Sequence, residues 1–333
     1  MWHKATACTA CAIWHRICRA DLAKGAALPR VRAGHRAKSA QNRIGRVGIT
    51  PKRRPTHNQS VNLRVNPPIA IGQTGPAPIS CLRDGPCENA LQMTSPRDLS
   101  VASYNIHKGI GTDRRRDLKR TVAVISEIGA DILALQEADT RFGTRTGLLD
   151  LDSICRDLGL IAVPLDGVGD AHGWHGNLLL VRNALVHDVH QLVLPGFEPR
   201  GALVTDMLID EQPLRVVNVH MGLLPGSRAA QARALLDKLG SLAPRPTLLM
   251  GDLNEWRGTS AALKTLGEKF TIGAARPSFP SRYPLLALDR MMTCLEGELL
   301  DIASHNSPLA RRASDHLPVT ATLRLTPRNV AGL

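Results

Sequence analysis

From residue 99 onward, short apolar runs alternate with amphipathic stretches, and the runs keep ending on polar residues. Residues 99–105 alternate as a strand does. In 117–129, Leu118, Val122, Ile125 and Ile128 fall on one helical face, with Asp117 as cap and Gly129 as stop. Residues 131–136 form a second apolar run that ends at Glu137. A helix is predicted over 148–158, and strands over 176–181, 184–194, 201–209 and 214–220. Residues 227–239 predict an amphipathic helix, with Ala230, Ala234, Leu235 and Leu239 together. A buried strand at 247–250 follows, then a helix near 259–266 and strands over 285–292 and 317–325. Strands outnumber helices and several are joined by hairpin-length connections. The pattern predicts an α/β (α+β) fold with mixed sheets, not a parallel stack.

Residues 1–92 lack this patterning. They contain no Phe or Tyr and eight prolines, and they hold 15 Lys/Arg against 3 Asp/Glu. Such a stretch cannot bury enough apolar surface to offset its ordering entropy, which predicts a largely disordered basic extension. Three roles are weighed for it. A secretory signal needs an uninterrupted apolar core, and residues 5–14 are broken by Thr and followed by His15-Arg16. A metal site from Cys8, Cys11, His15 and Cys18 is spaced too tightly for the usual fingers. A weak nucleic-acid contact through residues 30–54 is the third, although charge runs are commonly just solvated. The plainest reading places the functional domain at 93–333, with Met93 as the start. That domain holds 27 Lys/Arg against 26 Asp/Glu. Its two isolated cysteines make no disulfide framework, and no apolar run reaches transmembrane length. A cytoplasmic, monomeric protein is expected.

The polar ends of the apolar runs carry the chemistry. Asn105, Glu137, His220, Asp252, Asn254, Asp289, Asp315 and His316 mostly end or interrupt predicted strands. A buried polar group costs about 1–3 kcal/mol if unpaired, so one such residue is ordinarily a satisfied turn or core group. Many at one relative position indicate a shared rim of a layered fold. In Gly251-Asp252-Leu253-Asn254, the glycine reads as a turn at a strand end, and Asp252 and Asn254, two apart, face the same way. Carboxylates with an amide form an oxygen-rich site suited to Mg²⁺ or Mn²⁺, with no thiolate cluster to favour zinc. The histidines supply proton transfer or phosphate contacts. Asp289 is the candidate to orient His316 across strands.

The segments Ser103-Tyr-Asn-Ile-His107, Leu135-Gln-Glu137, Gly176-Asn-Leu-Leu-Leu180, Val217-Asn-Val-His220, Gly251-Asp-Leu-Asn254, Leu288-Asp289 and Ser314-Asp-His316 occur in an order that resembles the endonuclease/exonuclease/phosphatase superfamily, the DNase I-like metal-dependent phosphoesterases. The resemblance spans about 99–325. It implies a four-layer αββα sandwich of two packed mixed sheets. It also implies that Glu137 binds the metal, supported by Asn105 and Asp315, and that Asp252 positions or deprotonates the attacking water. Asn254 would hold a phosphate oxygen, His316 would contact the scissile phosphate, and His220 would contact phosphate or assist the leaving group.

Other residues have plainer explanations beside the functional one. Asn177 and Arg200 either frame the site or are turn and surface residues. Asn218 reads as a structural amide, His107 and Lys108 as a solvated loop, and Arg114–Arg116 likewise. Trp256 is expected to pack, and Cys155 and Cys294 to be buried. The phosphodiester substrate stays open between nucleic acid and phospholipid. A near-neutral domain argues against a high-affinity nuclease. Asp289 is followed by Arg290 where the abasic-site branch carries a tyrosine, and the apolar stretches 223–225 and 284–286 are the only hints of a lipid-facing hairpin. Gly-Leu-Leu after His220, Glu-Trp after Asn254 and Ser278-Phe-Pro-Ser-Arg282 before Leu288 look like compact bacterial members of the superfamily. A non-enzymatic nucleic-acid-binding protein is the remaining rival, and a lapsed enzyme would have lost Glu137, Asp252, Asn254 or His316.

Overall fold

A computed structural model describes residues 98–140, 145–295 and 297–325. The readings of residues 1–92, including Met93 as a start, lie outside the described residues.

One six-stranded sheet runs in the order β11 (Gly297–Ser304), β12 (Val319–Leu325), β1 (Asp98–Asn105), β2 (Ile132–Gln136), β4 (Leu178–Val181), β3 (Ile161–Ala162). The second runs β5 (Ala184–Leu194), β6 (Arg200–Ile209), β7 (Gln212–His220), β8 (Thr247–Asp252), β10 (Asp289–Cys294), β9 (Thr271–Ile272). Both are mixed: β1–β2 and β7–β8 are parallel and the other pairs antiparallel.

Three apolar clusters separate four layers. Between the sheets lie Val101, Ile132, Ala134, Val216, Leu248, Met250, Met291 and Ala321. On the outer face of the first sheet, Ala102, Tyr104, Leu133 and Leu135 meet α1 (Leu118–Ile128), α2 (Leu151–Leu158) and α5 (Ala310–Ala313). On the outer face of the second, Val217, Val219 and Leu249 meet α3 (Pro225–Gly240) and α4 (Ala261–Gly267). The strict alternation of inner and outer residues along β1, β2, β7 and β8 makes this possible, because strand neighbours point to opposite faces. The expected αββα sandwich is present.

Local signals set the helix limits. The Asp117 side chain accepts from the Arg120 N–H, and Gly129 closes α1 at φ 62°. Asp150 and Gly159 do the same for α2. In α2 only Ile154 is buried and Cys155 is exposed, which corrects the expectation that Cys155 packs, whereas Cys294 is half-buried and packs against the core under α3 and α4. The strand expected over 285–292 begins only at Asp289. Before it, Phe279 and Leu286 form an isolated bridge, and Phe279, Leu286 and Leu288 pack in a small cluster with Trp256.

Candidate active site

The alternation that fills the middle of the sandwich with aliphatic side chains also places polar ones at one end of it. On β7 the inner residues are Val216, Asn218 and His220; on β8 they are Leu248, Met250 and Asp252; on β10, Met291 and Asp289. His220 and Asp289 are the register partners of Asp252 on its two sides. Asp289 opens its strand where Asp252 and His220 close theirs, and antiparallel pairing brings all three to one rim. From the other sheet, Asn105 ends β1 beside Gln136 of β2.

Beneath this rim a buried amide layer spans the sheets. Gln136 donates to Asn218 Oδ1 at 2.8 Å, and Asn218 donates to the carbonyls of Leu135 and Leu178 at 3.0 and 2.9 Å. Asn218 is therefore a structural amide, as its position predicts.

Asp252 is the hub. Its Oδ2 accepts from Asn105 Nδ2 at 3.0 Å and lies 3.4 Å from His220 Nε2 and 3.8 Å from His316 Nε2. Its Oδ1 accepts the Asn254 backbone N–H at 2.9 Å. Burial pushes the Asp252 carboxyl up to about 6; the His316 charge pulls it back and the Asp289 charge pushes it further. His316 Nδ1 lies 2.8 Å from Asp289 Oδ2, which also accepts the Ser278 hydroxyl at 2.6 Å. Burial disfavours the imidazolium, but Asp289 and Asp252 outweigh it and raise His316 to about 10. The ring packs on Phe279, 4.9 Å away between centroids, and the His316 backbone is fixed by the Ser314 hydroxyl, which accepts its backbone N–H and donates to the Asn105 carbonyl. Arg200 Nη1 sits 3.1 Å from His220 Nδ1. A guanidinium only donates, so Nδ1 accepts and the His220 proton is carried on Nε2, facing Asp252.

Gly251 has a different task from the expected turn. It lies inside β8 at φ 154°, and a Cβ there would strike the Val219 carbonyl of β7. The glycine lets β7 and β8 approach beside His220 and Asp252. Asn254 also departs from expectation: at φ 51° it leaves extended geometry, and its amide donates to the Met221 carbonyl at 2.9 Å, committing one of its two N–H bonds.

Glu137 follows Gln136 with φ 57°, a left-handed conformation that breaks the strand alternation. Its carboxylate pairs with Lys108 and lines a small cavity with Asp139, Arg145, His175, Arg200 and His220. Burial opposes its charge, yet Lys108 holds the carboxyl well below the usual carboxylate range. Asp315 is more open and lies 3.5 Å from His107 Nδ1. Asn105 Oδ1 accepts the His107 N–H at 3.0 Å. Asn105, His220, Asp252, Asp289 and His316 thus form one connected cluster, with Asn254 joined through its backbone and Glu137 and Asp315 at its rim. The expectation of a solvated loop at Lys108 is overturned, and Arg200 belongs to the site. Asn177 is structural: its amide donates to the carbonyls of Trp174 and Gly201. Ser278 and Ser314 lie in segments that carry the resemblance, but nothing in their spacing marks the hydrogen bonds they make to Asp289 and Asn105. Asp139 does, two residues beyond Glu137; it is buried, with Oδ2 unpaired among the described residues.

A sequence model described as Endonuclease/Exonuclease/phosphatase family matches residues 102–316, which include every residue of this cluster. The chain belongs to that family. Family membership makes it a hydrolase of the phosphoesterase or nuclease type, and enzymes of this family generally depend on a divalent metal. Solved structures agree on the fold. An endonuclease/exonuclease/phosphatase family protein from Bacteroides thetaiotaomicron is 17% identical, with TM-score 0.56, covering 70% of this chain and 100% of that one. TDP2 of D. rerio, complexed with a single-strand DNA product, is 16% identical with TM-score 0.54, over 68% of this chain and 98% of that one. A mannosyl-6-phosphatase, also from Bacteroides thetaiotaomicron, is 18% identical with TM-score 0.54, over 68% and 99%. No curated protein matches the chain. No described helix is long and apolar enough to cross a membrane.

Proposed function

We propose that this family member is a divalent-metal-dependent phosphodiesterase that hydrolyses its substrate by attack of water on phosphorus. The observation that carries the reading is Asp252 Oδ2, on which Asn105, His220 and His316 converge. A carboxyl raised to about 6 is still ionised at neutral pH and basic enough to orient a water and take its proton. His316, kept cationic by Asp289, offers an N–H to a phosphoryl oxygen. His220 offers its Nε2–H, and Asn254 its second amide N–H.

Two groups of side chains compete as cation ligands. Asp252, Asp289 and His316 bring ligand atoms within 4.8 Å of one another. There His316 already engages Asp289 through Nδ1 at 2.8 Å, and the two carboxylates favour a proton on its ring, which a cation at Nε2 would have to displace. Glu137, Asn105 and Asp315 fit better: they offer hard oxygens, Glu137 remains ionised, and no cysteine lies among them. Mg²⁺ or Mn²⁺ held there would supply Lewis-acid stabilisation of charge on the phosphoryl oxygens.

The full chain assayed on bis-p-nitrophenyl phosphate, plasmid DNA and phospholipid vesicles, with and without EDTA, tests this. Glu137→Ala and His316→Ala should each cost on the order of 10²–10³ in turnover. Turnover that survives EDTA, or either variant at full activity, sinks the proposal. The substrate panel separates nuclease from lipid phosphodiesterase.

A further inference from the structure

The second sheet has a cavity at the end opposite the site. It occupies about 290 Å³ and is reached between the start of β8, the end of β10, the C-terminus of α3 and the segment after α4. Arg215 and His220 mark the two positions on β7, five residues apart, which is roughly 16 Å of extended strand.

Its walls combine two properties. Leu239, Leu242, Phe270 and Leu295 give an apolar side, and Leu295 leaves 57% of its surface open at φ 58°. Arg215, Arg245 and Lys269 give a cationic side. Arg215 is buried and locked by two bonds to Asp206, at 2.6 and 2.8 Å, and Arg245 reaches the same carboxylate at 3.3 Å. One carboxylate therefore answers two guanidiniums. Lys269 stands over the end of α3, where a Cβ on Gly240 would lie 3.3 Å from its Nζ. A helix C-terminus offers only about half a negative charge. Among the described residues the lining keeps a positive surplus beside apolar surface, in a volume near the lower end for small-molecule sites. Neither the apolar wall nor the cations take part in the chemistry at the other end of the sheet.

We propose that this cavity binds a small amphiphilic anion, a carboxylate carried on a short acyl body, with the head group at Arg245 and Lys269 and the chain against Leu239, Leu242 and Phe270. Arg215 is the fixed floor of the charged side, and Arg245 and Lys269, at the surface, are the adjustable donors.

Calorimetric titration of the full chain with decanoate tests it, with inorganic phosphate and decanol as the charge-only and chain-only probes. Decanoate should bind at least tenfold more tightly than either. Arg245→Ala with Lys269→Glu should weaken decanoate at least tenfold, and both positions are accessible enough to change without emptying the core. His316→Ala, at the far end, should leave decanoate affinity unchanged. Absence of decanoate binding at millimolar concentration, equal binding of phosphate, equal binding of decanol, or wild-type affinity in the double variant would each overturn the proposal. A loss of decanoate affinity in His316→Ala would also overturn it, by placing the ligand in the active site.

Discussion

At the scale of single residues, the proposed function rests on a charged His316. The imidazole rises to about 10 from its ordinary 6.5 because two buried carboxylates surround it, and Asp289 contributes both a charge and a hydrogen bond. A pKa raised on folding has a definite consequence for stability. The stabilisation is fully present below pH 6.5 and is lost as pH rises through 10. In protein stripped of metal with EDTA, the His316 imidazole followed by NMR should remain protonated at pH 8. In Asp289→Asn it should titrate well below its wild-type value, since the larger of the two charges and its hydrogen bond are gone while Asp252 and burial remain. A wild-type imidazole that loses its proton near 6.5 would remove His316 as a cationic phosphate ligand. Asp252 could be read from sequence because it ends an apolar run. The conformation of Glu137 could not, because a positive φ at a non-glycine residue leaves no mark in composition or period. Lys108 was hidden for the same reason: it also has positive φ, at 56°, in a loop whose composition is that of any solvated turn.

At the scale of elements, α3 is joined to the loop after β8 by a buried pair. Arg228 near the start of α3 donates through Nε and Nη2 to Glu255 Oε2 at 3.1 and 2.9 Å, and through Nη1 to the carbonyls of Gly222 and Leu223. Glu255 directly follows Asn254, so the pair fixes the segment that leaves the site. Breaking a buried pair on one side strands the other charge and costs about 3–5 kcal/mol. Glu255→Leu should therefore lower the unfolding free energy measured in urea by that amount, and Arg228→Met added to it should recover most of the loss. If the double variant is no better than the single one, packing around Glu255 matters more than the stranded guanidinium. Longer elements were legible because period is informative over many residues: α1, α3, β1, β7 and β8 fall where their apolar spacing puts them. Four strands and α-helices escaped. β3 and β9 are two residues long and α5 is four, too short to show a period. β11 is an edge strand whose register shifts between Leu300 and Ala303, which breaks its alternation.

At the scale of the whole molecule, charge is separated along the chain. Residues 1–92 carry 15 Lys/Arg against 3 Asp/Glu, and residues 93–333 carry 27 against 26. The described cluster is compact, and under the proposed function its groups act on one phosphoryl centre, with nothing in its balance of charge that calls for a long polyanion. Hydrolysis of a small phosphodiester and attachment to nucleic acid should then separate. A chain starting at Met93 should hydrolyse bis-p-nitrophenyl phosphate within about twofold of the full chain, because a residue acting only through charge at a distance contributes little to a small substrate at physiological salt. On a single-stranded oligonucleotide the two chains should differ. Each phosphate neutralised adds roughly 0.7 to the slope of log affinity against log salt, so engagement of about six cations from residues 1–92 makes the full chain steeper by about 4. Equal slopes would show that the basic extension takes no part in binding. Loss of turnover on the small substrate would show instead that residues 1–92 complete the active site, and would place the functional boundary upstream of Met93.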